Sequence, residues 1–189
     1  MNDSFRFNHW KVCSDKLPEG VKDCRINVLH DKLIITGGYY HERCSNKVWE
    51  GTISFDPELR TNWTTLPSML TGRENHLAVV IDNKLFCIGG TIKASATPRK
   101  LTKESIKSVE YFTFATNKWR KGPDLPFTLS TSHDAQATFD GVSQQCIITG
   151  GIRDGEISSK VSVFHPQKGM HDIQEVLDIG IGHHVAVLL

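Results

Sequence analysis

The stretch LAVVIDNKLFCIGG, from Leu77 to Gly90, determines how the rest of the chain is interpreted. Its alternating, β-branched residues predict two short strands joined by a turn at Asp82 and Asn83, residue types that tolerate a left-handed backbone. The closing pair, Gly89 and Gly90, predicts a place where the chain turns without a Cβ or approaches another backbone closely. A single stretch of this kind would carry little information, but the chain contains three.

The other two copies are RINVLHDKLIITGG at 25–38 and AQATFDGVSQQCIITGG at 135–151. The first glycines of the three pairs fall at 37, 89 and 150, so they are 52 and 61 residues apart. A period of about 50 residues indicates a repeat architecture. Tryptophans precede the same glycines by 27, 26 and 31 residues, at Trp10, Trp63 and Trp119. Aromatic residues stand 7 or 8 positions before the later tryptophan positions, and by this spacing His171 occupies the tryptophan position that follows Phe164.

The composition is that of an ordinary folded domain. The 189 residues are 39% hydrophobic and 23% charged, and the net charge of +1 disfavours a general nucleic-acid binder. No apolar run approaches the roughly 18 residues that span a bilayer, and the first ten residues have no signal-peptide core. Five cysteines without a CxxC pair favour buried reduced thiols over disulfides. We therefore expect a cytoplasmic protein that binds neither nucleic acid nor membrane.

Each repeat can be divided into four short strands, which is typical of a β-propeller blade. The stretch from the tryptophan at 63 to the glycine pair at 89–90, followed by SVEYFTFATNKW at 108–119, resembles the kelch repeat. It is most similar to the kelch domains of BTB-containing, kelch-like proteins. The resemblance implies an all-β kelch propeller fragment with three blades at 25–67, 76–123 and 133–175. An outer strand of a preceding blade is expected within 1–18 and an inner strand of a following blade at 183–189, while 91–107 is expected to be a loop.

The same resemblance implies structural roles for the repeated residues. Glycine pairs allow blades to pack closely, and the aromatic residues fill the space between blades. The residues concerned are Gly37, Gly38, Trp63, Gly89, Gly90, Phe112, Trp119, Gly150 and Gly151. The repeats also differ from one another, because Arg73 of the second repeat is replaced by Val21 in the first and by Ser130 in the third.

No catalytic or metal site is predicted. The chain has no GxSxG, HExxH or phosphate-loop motif and no evident pair of carboxylates. The histidines lack a third partner at a fixed spacing, and adjacent residues of a strand point to opposite faces. We therefore expect no enzymatic activity, no cofactor and no metal.

Most candidate binding residues lie in the segments that follow the glycine pairs, and Arg73 and its counterpart Ser130 lie at the start of the innermost strands. Tyrosine and arginine are enriched at interface hot spots, and a locally basic surface suits an acidic peptide. The predicted partner-binding residues are Tyr39, Tyr40, Arg43, Arg73, Arg99, Lys100, Ser130 and Arg153. Arg73 is the strongest candidate, since it matches an arginine that in some kelch adaptors grips carboxylates at the channel mouth. A guanidinium does so through paired, charge-assisted hydrogen bonds.

By resemblance, the expected function is recognition of substrates for a cullin-3 ubiquitin ligase. The BTB and BACK domains that would bind cullin-3 are not in this chain, which leaves it the recognition of a protein partner. Binding to actin or the cytoskeleton is the alternative within the interaction class. A propeller enzyme or sugar-binding domain is the third possibility.

Overall fold

The fold is known from a computed structural model that describes residues 15–54, 60–97, 100–131, 136–140 and 144–176. These residues form strands, turns and irregular segments, with no helix among them. No helix in this part of the chain is therefore long and apolar enough to cross a bilayer. The described residues form nineteen strands, twelve of them in three four-stranded antiparallel sheets. The expected all-β architecture is confirmed.

The first sheet contains β1 (Arg25–Leu29), β2 (Lys32–Thr36), β5 (Val48–Ser54) and β6 (Arg60–Leu66), adjacent in that order. A tight turn joins β1 to β2, and its residue His30 has a φ of 56°. The sheet is blade 1, with β1 as its innermost strand.

Blade 2 is the central sheet. Its strands are β7 (Leu77–Ile81), β8 (Lys84–Ile88), β11 (Val109–Thr113) and β12 (Lys118–Lys121). Asp82 and Asn83 join β7 to β8 with φ values of 49° and 54°, which is the left-handed turn that the sequence predicts.

Blade 3 repeats the pattern with β14 (Gln136–Asp140), β15 (Gln145–Thr149), β18 (Lys160–His165) and β19 (Gly169–Val176). Most of the two strands expected outside the three blades, at 1–18 and 183–189, lies outside the described residues. The described part of the first, 15–18, is not a strand.

The remaining strands form short β-hairpins, one after each glycine pair, and one strand that pairs with the third hairpin. They are β3 (Tyr39–Tyr40), β4 (Arg43–Cys44), β9 (Thr91–Thr97), β10 (Lys100–Ser105), β13 (Leu129–Ser130), β16 (Ile152–Arg153) and β17 (Glu156–Ile157). The expectation of a loop at 91–107 is wrong, because β9 and β10 pair as an antiparallel ribbon. Its base is held by Thr91, which exchanges two backbone hydrogen bonds with Glu74.

Blade 2 buries a different set of apolar residues on each of its faces. Toward blade 1 it directs Leu85, Cys87, Phe112 and Trp119, which pack with Ile34 of β2. Toward blade 3, a second cluster forms around Phe86 and Ile88 of β8 and includes Phe164, Met170 and Cys146 of the next sheet. The strict alternation along β8 places a hydrophobic core between each pair of neighbouring blades.

The tryptophan position of blade 3 is one residue away from where its spacing placed it. Trp119 lies opposite Phe112 in blade 2, and the corresponding partner of Phe164 in blade 3 is Met170. Met170 is buried, whereas His171 is exposed on the opposite face of the sheet. The assignment of His171 to the tryptophan position is therefore wrong, because neighbouring residues of a strand face opposite sides.

The first two glycine pairs contact the segments that lead into the following blades. All six glycines have positive φ, between 59° and 101°. The N–H of Gly38 donates to the carbonyl of Arg73 at 2.8 Å, and that of Gly90 donates to the carbonyl of Leu129 at 2.7 Å. A Cβ on Gly89 would lie 2.5 Å from the same Leu129 oxygen, so only glycine allows this approach.

Polar side chains of the inner strand of blade 1 also reach blade 2. Arg25 Nε donates to the carbonyl of His76 at 2.7 Å, and Asn27 Nδ2 donates to the carbonyl of Ala78 at 3.0 Å. The His76 ring is buried and lies 2.9 Å from Thr36 Oγ1. Burial holds the pKa of His76 well below its usual value, so the ring stays neutral and functions as a hydrogen-bonding part of the blade junction.

Two cysteines lie inside the inter-blade cores. Burial raises the pKa of the Cys87 thiol, and likewise that of Cys146, to about 12. Cys24 and Cys44 are only half-buried, and all four are free thiols. At pH 8 a thiol with a pKa of about 12, such as that of Cys87 or Cys146, is ionised in about one molecule in ten thousand. The thiolate is the reactive species.

We therefore expect Cys87 and Cys146 to resist a maleimide on the native protein. Cys24 and Cys44 should react at least tenfold faster, as followed by mass spectrometry of digested samples over time. In denaturant the four rates should converge. Equal rates in the native protein would contradict the burial of Cys87 and Cys146.

Candidate partner-binding face

Arg73, the strongest candidate from the sequence, lies inside blade 2 and is 1% exposed. Its Nη2 lies 2.6 Å from Glu110 Oε1, and its Nη1 donates to the carbonyls of Gly89 at 2.7 Å and Ser108 at 2.9 Å. The expectation that Arg73 projects into the channel mouth is wrong, since its guanidinium is used to hold the segment before β7 against β8 and β11.

Glu110 completes this buried ion pair. Its carboxylate, 2% exposed, also accepts the backbone N–H groups of Leu70 at 2.5 Å and Thr71 at 3.2 Å. The pair therefore satisfies backbone donors of the connection between blades 1 and 2, which makes its role structural.

Two further candidates have their polar groups engaged within the fold. Ser130 is buried, and its hydroxyl lies 3.1 Å from Thr91 Oγ1. Arg153 forms a bidentate pair with Asp172 at 2.9 and 3.2 Å, and its guanidinium carbon lies 3.4 Å from the centroid of the Phe127 ring. Burial raises the pKa of Asp172, but hydrogen bonds from Arg153 and Ser162 together lower it by more. The carboxyl pKa therefore lies below its usual value.

Tyr39, Tyr40 and Arg43 lie together on the β3–β4 hairpin. Tyr39 exchanges two backbone hydrogen bonds with Lys22, which anchors the hairpin to the segment before β1. The rings of Tyr40 and His41 meet edge-on, with centroids 4.0 Å apart. The two tyrosines are half-buried and Arg43 is exposed, so the hairpin presents an aromatic base with a cation beside it.

Three lysines surround the Tyr39 ring, and we call these four residues the tyrosine–lysine cluster. The Nζ atoms of Lys22, Lys93 and Lys103 lie 5.4, 5.9 and 4.9 Å from the ring centroid. These distances fall within the range of cation–π attraction. The cluster joins the segment before blade 1, the β3–β4 hairpin and the β9–β10 ribbon.

One lysine of the cluster is also paired with a buried acid. Lys103 Nζ lies 2.6 Å from Glu74 Oε1, and Glu74 is fully buried whereas Lys103 is half-exposed. The hydrogen bond to Glu74 raises the pKa of Lys103, so this lysine keeps its charge through the physiological range. The pairing reduces the net positive charge and fixes the position of the ammonium group.

A cleft of about 650 Å³ opens beside the cluster, between the β3–β4 hairpin and the base of β9. Its basic side chains belong to His41, Arg43 and Lys93. The other lining residues are Glu42, Cys44, Thr71, Gly72 and Ile92. Burial raises the pKa of the Cys44 thiol, so this cysteine contributes no negative charge. The cleft can accept an acidic or polar chain segment.

Two predicted residues are not placed at this surface. Arg99 lies outside the described residues, and Lys100 begins β10, where only its backbone is described. Conversely, the sequence did not single out Lys22, Lys93 or Lys103 as site residues. Lys22 is far from the two ribbon lysines in the sequence. Lys93 and Lys103 share a face because they pair across the β9–β10 ribbon, and Lys22 joins them through its backbone hydrogen bonds with Tyr39.

Comparison with known proteins agrees with this architecture. Residues 72–126 match the family model of the Kelch motif. The F-box/kelch-repeat protein At1g22040 of Arabidopsis thaliana is 28% identical over 105 residues, which is 56% of this chain and 20% of that protein. Kelch repeat and BTB domain-containing protein 2 of Cowpox virus (strain GRI-90 / Grishak) is 25% identical over 116 residues, 61% of this chain and 18% of that protein. The chain thus spans about a fifth of the length of these curated relatives.

The structure of YjhT shares the fold, with a TM-score of 0.71 and 16% sequence identity. The alignment covers 89% of this chain and 55% of that chain. Together with the matched motif and the three blade-like sheets, this likeness defines an all-β propeller architecture. The chain is a partial kelch-repeat propeller.

Proposed function

We propose that this chain is a non-enzymatic protein-interaction module that binds an acidic segment of a partner protein. The observation that supports the proposal is the tyrosine–lysine cluster beside the cleft that Arg43 lines. Tyrosine offers contact area at low cost in conformational entropy, and arginine pairs with carboxylates through a planar set of donors. We expect Tyr39 and Arg43 to lie at the centre of the interface, with ionic contacts at its edges.

Electrostatics restricts the class of partner. The chain as a whole is close to neutral, so the positive charge at the cluster is local. Local charge of this kind selects an acidic segment and speeds its association, and the effect falls as salt screens it. We therefore expect partner binding to weaken as ionic strength rises.

The finer proposal is that the chain recognises substrates for a cullin-3 ubiquitin ligase. It is supported by the BTB domain that the name of the cowpox relative records. The name of the Arabidopsis relative records an F-box instead, so kelch repeats occur in proteins together with different additional domains. Cullin-3 among the proteins that co-purify with the product of the native gene would support the ligase role. Sedimentation with filamentous actin would favour the cytoskeletal alternative.

The test of the binding face uses peptides displayed on phage and selected on the immobilised chain. We expect the selected peptides to be rich in aspartate and glutamate. The double variant Arg43→Glu/Lys93→Glu should bind a selected peptide at least tenfold more weakly, which corresponds to about 1.4 kcal/mol. Isothermal titration calorimetry at fixed salt gives the affinities.

The matched control is Lys118→Glu/Arg120→Glu, which makes the same change in net charge on two exposed residues of β12. This control should alter the affinity by less than threefold. Selection of neutral peptides, or equal losses in the two double variants, would contradict the proposed face.

A further inference from the structure

Blade 1 exposes apolar side chains on its innermost strand. Ile26 and Val28 of β1 are 59% and 68% exposed, although isoleucine and valine are among the residue types most often buried. Asn27 between them donates its side-chain N–H to the carbonyl of Ala78, so it points toward blade 2. Because successive residues of a strand point to opposite faces, Ile26 and Val28 face away from blade 2.

The repeat in the chain shows what covers the same positions in blade 2. The first glycines of the first two pairs are 52 residues apart, so Ile26 and Val28 correspond to Ala78 and Val80 of β7. The pairing registers of the two sheets agree with this spacing. Ala78 and Val80 pack against the apolar cluster between blades 1 and 2. Ile26 and Val28 therefore occupy the positions on which a preceding blade packs.

The exposed part of this face lies along β1. Ile35 of β2 lies opposite Ile26, and Trp49 of β5 lies opposite Ile35, so the three side chains share the face. Ile35 and Trp49 are only 2% and 3% exposed, so the face is covered at these two positions. Within the chain, β1 contacts β7 and β7 contacts β14, which shows that innermost strands lie side by side. The element that fits against Ile26 and Val28 is therefore an innermost strand.

A segment of the sequence has the pattern of such a strand. GHHVAVLL at 182–189 aligns with ENHLAVVI at 74–81, which contains β7. The residues of β7 in the apolar cluster shared with blade 3 are Leu77, Val79 and Ile81. Their counterparts in the segment are Val185, Val187 and Leu189. All three are apolar, so the pattern predicts a strand that packs on the blade that follows it.

A second copy of the chain brings this segment to the exposed face. In one copy, blade 2 packs between blades 1 and 3, and residues 183–189 are joined to blade 3 through residues 177–182. The face that carries Ile26 and Val28 lies at the opposite end of this row of blades. Two copies placed head to tail therefore bring the predicted innermost strand of one onto the exposed face of the other.

We propose that residues 183–189 of a second copy pack against Ile26 and Val28. The contact is heterologous, because one copy contributes the segment and the other contributes the face. It repeats the junction of β7 with β14 and removes exposed apolar side chains from water. The inference is independent of the acidic-segment proposal, since it uses neither Tyr39 nor Arg43.

The first test measures the mass of the chain in solution. At about 50 μM, sedimentation velocity should show a dimer or a larger assembly, and its share should fall on dilution. Val28→Glu should leave a monomer, because the contact would bury an unpaired carboxylate. Val187→Glu should leave a monomer for the same reason.

The matched control is Leu70→Glu, which makes the same change of charge at an apolar residue outside this face. Leu70 is 53% exposed, and its N–H donates to Glu110 of blade 2. This control should leave the assembly intact.

The second test mixes the two defective variants. Val28→Glu keeps an unaltered segment and Val187→Glu keeps an unaltered face, so the mixture offers one intact junction. We expect a 1:1 dimer when the variants are combined, although each alone is monomeric. The dimer should not grow further, because its remaining segment and face are both altered.

Circular dichroism checks that each variant is folded, as we expect for Val28→Glu because Val28 is exposed. If Val187→Glu does not fold, a fluorescein-labelled peptide of residues 182–189 replaces it. By fluorescence anisotropy, this peptide should bind the unaltered chain at least tenfold more tightly than it binds Val28→Glu.

Several results would overturn the proposal. A chain that stays monomeric at about 50 μM would show that no second copy covers the face. An assembly that persists in Val28→Glu would place the contact elsewhere, and loss in Leu70→Glu would show that the effect is not specific to this face. An assembly lost in Val28→Glu but kept in Val187→Glu would assign the face to another segment of the second copy. Absence of a dimer in the mixture of folded variants would exclude the head-to-tail contact.

Discussion

Replacing Arg73 by methionine is expected to lower the free energy of unfolding by roughly 3–5 kcal/mol. The substitution leaves the carboxylate of Glu110 buried without its cation, and an unpaired buried charge is strongly unfavourable. It also removes the donors to the carbonyls of Gly89 and Ser108. Urea unfolding followed by circular dichroism measures the change.

Arg120→Met is the matched control, since Arg120 is an exposed arginine of the same blade. It should change the stability by less than about 0.5 kcal/mol. Adding Glu110→Gln to Arg73→Met should recover part of the loss, because the amide oxygen still accepts backbone N–H groups without leaving a charge. A cost below about 1 kcal/mol for Arg73→Met would contradict the structural role of the ion pair.

The second large effect is expected from Gly89→Ala, which should cost more than about 2 kcal/mol. Two separate penalties combine at this position. Alanine is strained at a φ of 60°, and its Cβ would lie 2.5 Å from the backbone oxygen of Leu129. Relieving the clash requires blades 2 and 3 to separate. Thermal unfolding of purified variants measures the loss.

Two other glycines separate the penalties. Gly155 has a φ of 90° but no atom within 4 Å of a built Cβ, so Gly155→Ala should show only the backbone strain, about 1 kcal/mol. Gly20 has neither feature, and Gly20→Ala should be close to neutral. If Gly89→Ala costs no more than Gly155→Ala, the close contact with Leu129 does not contribute to stability.

The fold could be predicted from the sequence because its determinants are local and recur. Three features each produce a recognisable pattern within a few residues of sequence, and this pattern marks them. They are a glycine pair with positive φ, an Asp-Asn turn and alternating apolar strands. Repetition at a period near 50 residues then makes each mark support the others. The β9–β10 ribbon was missed because its polar sequence lacks an apolar face, and its base is fixed by Glu74 from outside the segment.

The site was harder to predict, since it depends on the direction of single side chains. Arg73 and the glutamate at 110 are 37 residues apart in the sequence. No pattern in the residues around either of them shows that they form a buried ion pair. A shift of one position likewise separates buried Met170 from exposed His171. Only Tyr39, Tyr40 and Arg43 were placed together correctly, because they are neighbours in the chain, and their role in binding stays a prediction.

The contacts of the glycine pairs also give the chain a direction of assembly during synthesis. The N–H of Gly38 donates to the carbonyl of Arg73, and the N–H of Gly90 donates to the carbonyl of Leu129. In both hydrogen bonds the glycine precedes its partner in the chain. On a ribosome, which releases the N-terminal part first, each blade can offer a finished docking point before the entry segment of the next blade emerges. Each later blade then adds to a folded neighbour, which limits the time during which its apolar face is exposed to other nascent chains.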